Sequence, residues 1–313
     1  MNNPLPPLWQ PSASRDILLA RADIIAAIRR FFQQRQVLEV TTPVLVSAVA
    51  PERHQNPPSC QTGFLQPSPE TAMKRLVASG SGAIFQLCPA FREDEVGRLH
   101  NPEFTLLEWY RPGWSYQQLM EEVGALVQEI LRCPPPEQLT FLQAFQKFVG
   151  INPFKAPLSS MESALSSPPP ARLDRSGLTD LLLVDRLEPA LKKQGGGLFL
   201  REYPPWDPAM AEVDEGPPAF ARRFELYVDG VELANGYQEL TDCREQARRF
   251  QKTNQQRQED GEETLPEDHH LLAALKHGLP RCAGVALGVD RLIMLALRKK
   301  RISEVMAFPF DRS

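Results

Sequence analysis

The chain has 313 residues, 42% of them hydrophobic and 24% charged, enough apolar material for one large core or two modest ones. Its 35 Lys and Arg against 39 Asp and Glu leave a net charge of -4, which excludes a general binder of phosphate backbones, although a local basic patch remains open. No apolar run reaches the roughly 18 residues of a membrane span and the start, "MNNPLPPLWQ", lacks the features of an export signal, so no membrane is expected and the expected compartment is the cytoplasm.

In chain order, residues 1–13 read as a flexible segment. From Ser14 to about Arg35, Ile17, Leu18, Ile24, Ile25, Ile28, Phe31 and Phe32 recur at helical spacing, with Ser14 as N-cap. "VLEVTTPVLV" follows, β-branched and interrupted by Pro43, which belongs at a strand end or an interface edge. "GAIFQLCPAF" and "PEFTLLEWY" read as the arms of a long hairpin around a charged loop from Glu93 to Asn101. A second amphipathic helix runs from Tyr116 to Leu131 and ends at "CPPP". Between about 134 and 220, repeated prolines and glycines predict short elements separated by rigid turns.

Beyond that insertion, "ARRFELYVDGVELANGYQEL" is β-rich, "TDCREQARRFQ" opens a polar helix, and "HHLLAALKHGLP" is a short helix stopped by Gly278 and Pro280. "GVALGVDRLIMLALRKKR" closes the chain as a Gly-rich strand running into an apolar helix, with Asp290 as a candidate helix cap. Five cysteines, an odd number and without a CxxC pair, suit reduced thiols, and no structural zinc is expected. "EDHH" at Glu267–His270 reads as a polar helix start, and Arg53 and His54 read as surface residues.

The chemistry concentrates at three places. On the second hairpin strand Phe104, Leu106, Glu108 and Tyr110 share one face. A carboxylate beside a phenol makes a cup for an ammonium group, or else an ordinary edge-strand pair. Arg92, at the hairpin base, is either structural or a bidentate phosphate ligand. Arg291 stands in the first turn of the last helix, where the dipole disfavours a cation, so it calls for an anion, from a protein carboxylate or a ligand phosphate.

Together these pieces resemble class II aminoacyl-tRNA synthetases. "RQVLEVTTP", "FREDE" with "HNPEF", and "GVALGVDR" look like the three motifs of that family, and the resemblance runs from about Arg21 to the end. It is closest to the lysyl branch through "SPE" at Ser68–Glu70, "RLHNPEFTLLEWY" and "GVELANGYQEL". Only about twenty residues precede the point near Arg21 where the resemblance begins, so no OB-fold anticodon domain is expected, and the chain is similar to the elongation factor P lysine ligase family.

That resemblance implies an α+β fold, residues 14–313 forming one class II synthetase-like catalytic domain with an antiparallel six- or seven-stranded sheet flanked by helices. It implies a homodimer through the first motif. It also implies activation of (R)-β-lysine or lysine with ATP and Mg2+, and transfer to a lysine side chain of elongation factor P rather than to tRNA. A catalytically silent paralogue, or a free-standing synthetase core acting on tRNA or a small amine, are the alternatives. By resemblance Arg92 and Arg291 are catalytic, and Arg92, Glu93, Asp94, Asn101, Glu232, Leu233, Gly288 and Arg291 bind ATP. Ser68, Pro69, Glu70, Glu108, Tyr110, Glu239 and Ala286 surround the amino acid, and Glu232 with Glu239 holds the metal. Three departures stand out: Asp94 where the family usually has glutamate, with Glu95 next to it; Ala286 where lysyl-tRNA synthetases have glycine; and a short segment from Pro43 to Ser68. Glu232 and Glu239, seven residues apart, would face opposite sides of a regular strand. Either "NG" at Asn235 and Gly236 turns the chain as a hairpin, or a continuous strand bulges there.

Overall fold

The computed structural model describes residues 9–93, 96–169 and 172–313. The periodic segment after Ser14 forms α1 (Arg15–Gln34), with Ser14 Oγ accepting from the Ile17 N–H and Ile28, Phe31 and Phe32 buried. Of the expected flexible segment, residues 1–8 lie outside the described residues, while the Ser12 and Ala13 N–H groups donate to Ala307 and Met306 carbonyls.

β1 (Leu38–Glu39) is followed by a small sheet of β2 (Leu45–Val46), β3 (Ser59–Cys60) and β4 (Gly63–Leu65), then by α2 (Glu70–Ala78). β5 (Ile84–Phe91) and β6 (Glu103–Pro112) are the hairpin arms, registered from Ile84 opposite Tyr110 to Phe91 opposite Glu103. A Ser115–Gln118 capping box opens α3 (Tyr116–Leu131), which ends before the prolines. The Pro/Gly-rich stretch holds β7 (Glu137–Thr140) and the short helices α4 (Phe141–Phe148), α5 (Leu158–Ser163), α6 (Arg175–Leu182) and α7 (Glu188–Gln194). Then come β8 (Gly197–Tyr203), β9 (Val213–Asp214), β10 (Phe220–Val228), β11 (Val231–Gln238), α8 (Cys243–Glu259), α9 (His269–Gly278), β12 (Cys282–Gly288) and α10 (Val289–Ala296). Among the described residues no helix is long and apolar enough to cross a membrane.

The large sheet runs β1-β5-β6-β12-β11-β10-β8-β7, with β9 beside β10. Its long strands β5, β6, β12, β11, β10 and β8 are antiparallel, as expected, and β9 pairs with β10 antiparallel. β1 and β7 pair in parallel at the two edges. Alternation along the strands separates core from site. One face buries Leu107, Trp109, Val285, Leu287, Phe224 and Leu226 against α1, α3 and α10. On the other face, Met73, Val77, Ile84, Phe250, Leu271 and Leu275 join α2, α8 and α9 into one cluster at the β5 side. Phe141, Phe145, Leu178, Leu182, Leu191, Leu198 and Leu200 join α4, α6 and α7 into another at the β8 side. The sheet between these two helical groups is left uncovered by apolar packing, and the cavity described below lies there.

Two local expectations are corrected. "NG" makes neither a turn nor the bulge: β11 runs on through it, and the register shift falls at Leu233, between the pairs Leu226–Ala234 and Tyr227–Glu232. Gly236 is there for close packing, because a Cβ would come within 2.5 Å of the Phe224 ring and 2.9 Å of the Gly284 carbonyl oxygen. The hairpin turn is Asp229–Gly230, with φ of 51° and 73°, both in the left-handed region that a two-residue type I′ turn requires. Asp290, in turn, caps nothing. The α10 N-terminus has no side-chain cap; buried Asp290 instead accepts from Arg21 Nη1 and from the Thr105 N–H, each at 2.6 Å. Because this helix start is buried against β6, the carboxylate is used to bind three distant segments together. Asp290→Ala leaves the Arg21 guanidinium without its carboxylate and a buried N–H without an acceptor, and is expected to cost about 3 kcal/mol, measured by urea unfolding.

Candidate active site

The cavity has a volume of about 820 Å³ and a floor made by β6, β12, β11 and β10. Register places Glu108 opposite Ala286 and Tyr110 opposite Gly284. One strand further, Ala286 faces Asn235 and Gly284 faces Tyr237. Because directly opposed residues point the same way, this row of side chains rises into the cavity while Leu107 and Trp109 go to the core. The extra residue at Leu233 returns Glu232 to the face of Asn235, Tyr237 and Glu239, so both glutamates line the same cavity.

At one end lies a group of buried acids. Glu108 Oε2 accepts from Ser68 Oγ at 2.5 Å and its Oε1 from Tyr110 Oη at 2.6 Å. Ser68 Oγ also accepts the Glu70 N–H at 3.1 Å, fixing the start of α2. Between Glu70 and Glu239 sits Lys74, whose Nζ is 2.6 Å from Glu70 Oε1 and 2.6 Å from Glu239 Oε2. This lysine was not among the expected site residues. Its signal was present: Met73, Leu76 and Val77 have helical spacing, and Glu70 and Lys74 stand at i and i+4 on the same helix.

Burial sets the protonation of this group. It pushes the Glu108 carboxyl up to about 8, helped by Glu70 and opposed by the Ser68 and Tyr110 hydrogen bonds. It pushes Glu239 up to about 7, with Lys74 pulling back and Glu70 adding to the rise. Burial disfavours the Lys74 ammonium, but Glu239 and Glu70 outweigh it and hold that group above the usual lysine range. Below their raised values both carboxyls hold protons that a cationic ligand must displace. Affinity for a diammonium amino acid is therefore expected to rise with pH through about 7 to 8. Titration calorimetry at pH 6.5, in buffers of different ionisation enthalpy, should record proton release on binding.

Arg291 is at the other end, and Arg92 stands between it and the corner of Ser68 and Glu70, whose small adjoining pocket it also lines. Arg92 follows β5 and lies over the Phe104 ring, 5.1 Å from its centre. Arg291 Nη1 donates to the Glu232 carbonyl at 2.9 Å and Nε to the Leu99 carbonyl at 3.3 Å, while Nη2 lies 2.7 Å from His100 Nε2. Among the described residues its nearest carboxylate oxygen, Glu232 Oε2, is 3.6 Å away. Burial and Glu225 raise the Glu232 carboxyl, and Arg291 and Arg92 both pull it back, so one acid feels both cations. Two guanidinium groups separated by 199 positions thus face one space.

Ser68, Glu70, Arg92, Asn101, Glu108, Tyr110, Glu232, Leu233, Glu239, Ala286, Gly288 and Arg291 all line the cavity. Asn101 spends its amide on the Glu103 carbonyl and on the Phe310 N–H, tying the C-terminal segment to the rim. Pro69 stands behind Ser68 at the α2 N-cap, in a small adjoining pocket. Glu93 is exposed, outside the cavity lining, and gives its N–H to the Asn56 carbonyl. Asp94 and Glu95, the two candidates for adenine, lie outside the described residues. Arg53 and His54 are at the cavity mouth, with Arg53 paired to Asp260 at 2.7 Å. Asp268 caps α9 through the Leu271 N–H, in keeping with the reading of "EDHH" as a helix start. Among the described residues no three His, Cys, Asp or Glu side chains form a metal cluster.

Residues 8–312 match the family model for class II tRNA synthetases of the D, K and N type. The chain belongs to that family. Its α+β domain, with a mixed sheet flanked by helices, is the class II synthetase domain. Within the family it is similar to the elongation factor P--(R)-beta-lysine ligase of Salmonella arizonae, at 45% identity over 97% of this chain and 98% of that protein. The protein of the same name from Erwinia tasmaniensis is 46% identical over 97% of this chain and 98% of its own length. That of Salmonella paratyphi B is 45% identical with the same coverage. The match to class II synthetases therefore spans nearly the whole chain, insertion included.

Proposed function

We propose that the chain is an ATP-dependent ligase that activates (R)-β-lysine, or lysine, and transfers it to a lysine side chain of elongation factor P. The observation that carries this reading is one cavity that holds two arginines from distant segments and, beside them, a group of buried carboxylates. Joining a carboxylate to an amine in water is uphill. The amino-acid carboxylate oxygen attacks the α-phosphorus of ATP, the bond to pyrophosphate breaks, and an aminoacyl-adenylate remains. The acceptor amine then attacks the acyl carbon, AMP leaves, and the amine gives up a proton. In the first step two anions must meet, so fixed guanidinium groups serve better than a general base.

In this reading Arg92 takes the α-phosphate and Arg291 the distal phosphates. Gly288 and Leu233 offer backbone to the nucleotide, with Asn101 supporting the rim. Bound Mg2+ would supply further charge neutralisation, and Glu232, which feels both arginines, is the residue that would hold it. The ion pair of Glu239 with Lys74 favours an amino-acid role for Glu239 over a metal one. Glu70, Glu108, Tyr110 and Glu239 face the two ammonium groups. The Ala286 methyl, directly across from Glu108, narrows the floor where an α-amino group would lie, which favours a β-amino acid.

A homodimer accords with Leu38 in the first motif, 55% exposed, with Leu45 just beyond it at 47%, and with Leu19 of α1 at 49%. The test is ATP–pyrophosphate exchange with β-lysine, with α-lysine and without amino acid, followed by purified elongation factor P as acceptor. Exchange that needs a diamino acid, and mass addition of one lysyl group to the factor, is the expected result. No exchange with any diamino acid sinks the reading.

A further inference from the structure

Lys74 has no part in the chemistry just described, yet it sits among the residues assigned to the amino acid. Its side chain is 2% exposed. Its Nζ is held at 2.6 Å by a carboxylate oxygen on each side and at 3.4 Å by Met210 Sδ, so the ammonium cannot swing to solvent. An ammonium inside a pocket for a diammonium ligand looks self-defeating, since it competes for the same acids.

The geometry resolves this. Lys74 takes Oε2 of Glu239 and leaves Oε1 lying across Gly284, where a Cβ would come within 2.3 Å of it and within 2.4 Å of Tyr110 Cε1. The carboxylate is thereby held by an ion pair, with Oε2 against the resident cation and Oε1 beside Tyr110 on the cavity floor. The groups facing Glu239 are Glu70 and Lys74 from α2, Tyr110 from β6, Tyr237 from β11 and Cys282 from β12. Lys74 is the cation in direct contact. Several buried acids set together would otherwise take up protons, and a neutral carboxyl attracts an ammonium weakly.

We infer that Lys74 is a positioning and specificity-determining residue: a built-in counter-ion that orients Glu239 and Glu70 and so fixes how far into the pocket a substrate ammonium can reach. This rests on the reading that the cavity takes a diamino acid. The chain length of the substrate is then set by a fixed charge at the end of the pocket as well as by its walls.

The test uses Lys74→Met, which keeps the length and removes the charge, and Lys74→Arg, which keeps the charge and extends its reach. Exchange kinetics are measured from pH 6 to 9 with β-lysine and with its homologue one methylene shorter, alongside the KM for ATP. Lys74→Met is expected to raise the β-lysine KM by about tenfold or more with the ATP KM within about twofold. It should also move the acidic limb of the amino-acid kcat/KM profile up by about one pH unit. Lys74→Arg is expected to leave that limb in place and to lower the preference for β-lysine over the shorter homologue by about fivefold. A Lys74→Met enzyme with unchanged KM and pH profile makes Lys74 a packing residue and overturns the inference. Should Lys74→Met fail to fold, the Lys74→Arg length preference decides, and an unmoved ratio overturns it equally. A wild-type protein without diamino-acid-dependent exchange overturns the proposed function itself, and this inference with it.

Discussion

Arg291→Ala is expected to lower kcat/KM for pyrophosphate exchange by about 10²- to 10³-fold, the usual cost of removing one preorganised donor from developing charge. The guanidinium is held in place before any ligand arrives, by the Glu232 carbonyl at 2.9 Å, the Leu99 carbonyl at 3.3 Å and the His100 ring at 2.7 Å. Its closest acid, at 3.6 Å, does not form a tight bidentate pair with it, which leaves its charge available to phosphate. A lysine at this position is expected to lose nearly as much, because one ammonium cannot keep the two carbonyl contacts and still present a flat face to an anion. Amino-acid affinity, followed by calorimetry without ATP, should stay within about threefold, since Arg291 is at the opposite end of the cavity from the buried acids. A loss smaller than about tenfold in exchange would mean that the arginine is only a structural brace.

How much of this was legible in the sequence depends on the range of the forces involved. The hairpin of β5 and β6, and the helices α1, α3 and α9, follow from local rules: alternation, helical spacing, a capping serine, a terminal glycine or proline. Glu108 and Tyr110 could be placed on one face by counting, and they touch at 2.6 Å. Strands of two and four residues, β1 and β7, are too short to show a period, so the parallel edges of the sheet stayed hidden. Asp290 answers to Arg21, 269 positions away, and no local rule could reveal that it binds segments together and caps no helix. The bulge at Leu233 and the tight packing of Gly236 between Phe224 and β12 both depend on neighbouring strands distant in the chain, which no local rule reports. Lys74 is the instructive omission. The "SPE" stretch drew attention as a ligand motif, and the amphipathic helix beginning at its last residue went unassigned, although Glu70 and Lys74 were four apart.

Gly284→Ala should disable amino-acid recognition while sparing the nucleotide. The new methyl would lie 2.3 Å from Glu239 Oε1, 2.4 Å from Tyr110 Cε1 and 2.6 Å from Tyr110 Cδ1, distances no methyl tolerates. Tyr110 has nowhere to go: it is 2% exposed, its ring packs in the cluster with Met73 and Ile84, and its hydroxyl is held by Glu108 at 2.6 Å. With the ring confined, the β12 backbone at this position must shift together with Glu239, and moving Glu239 stretches its 2.6 Å contact with Lys74. Displacement of a binding carboxylate by an ångström is enough to cost about 10²-fold in kcat/KM for the amino acid. Overpacking of the floor adds a loss of about 1–3 kcal/mol in stability, read from urea unfolding. The KM for ATP is expected to change by less than about threefold, because Gly288 and Arg291 are served by the far end of β12 and by α10, where nothing is displaced. If instead the ATP KM rises and the amino-acid KM does not, the two ends of the cavity have been assigned in reverse. If both stay level in a protein that folds, the floor of β6 and β12 is not where the amino acid binds.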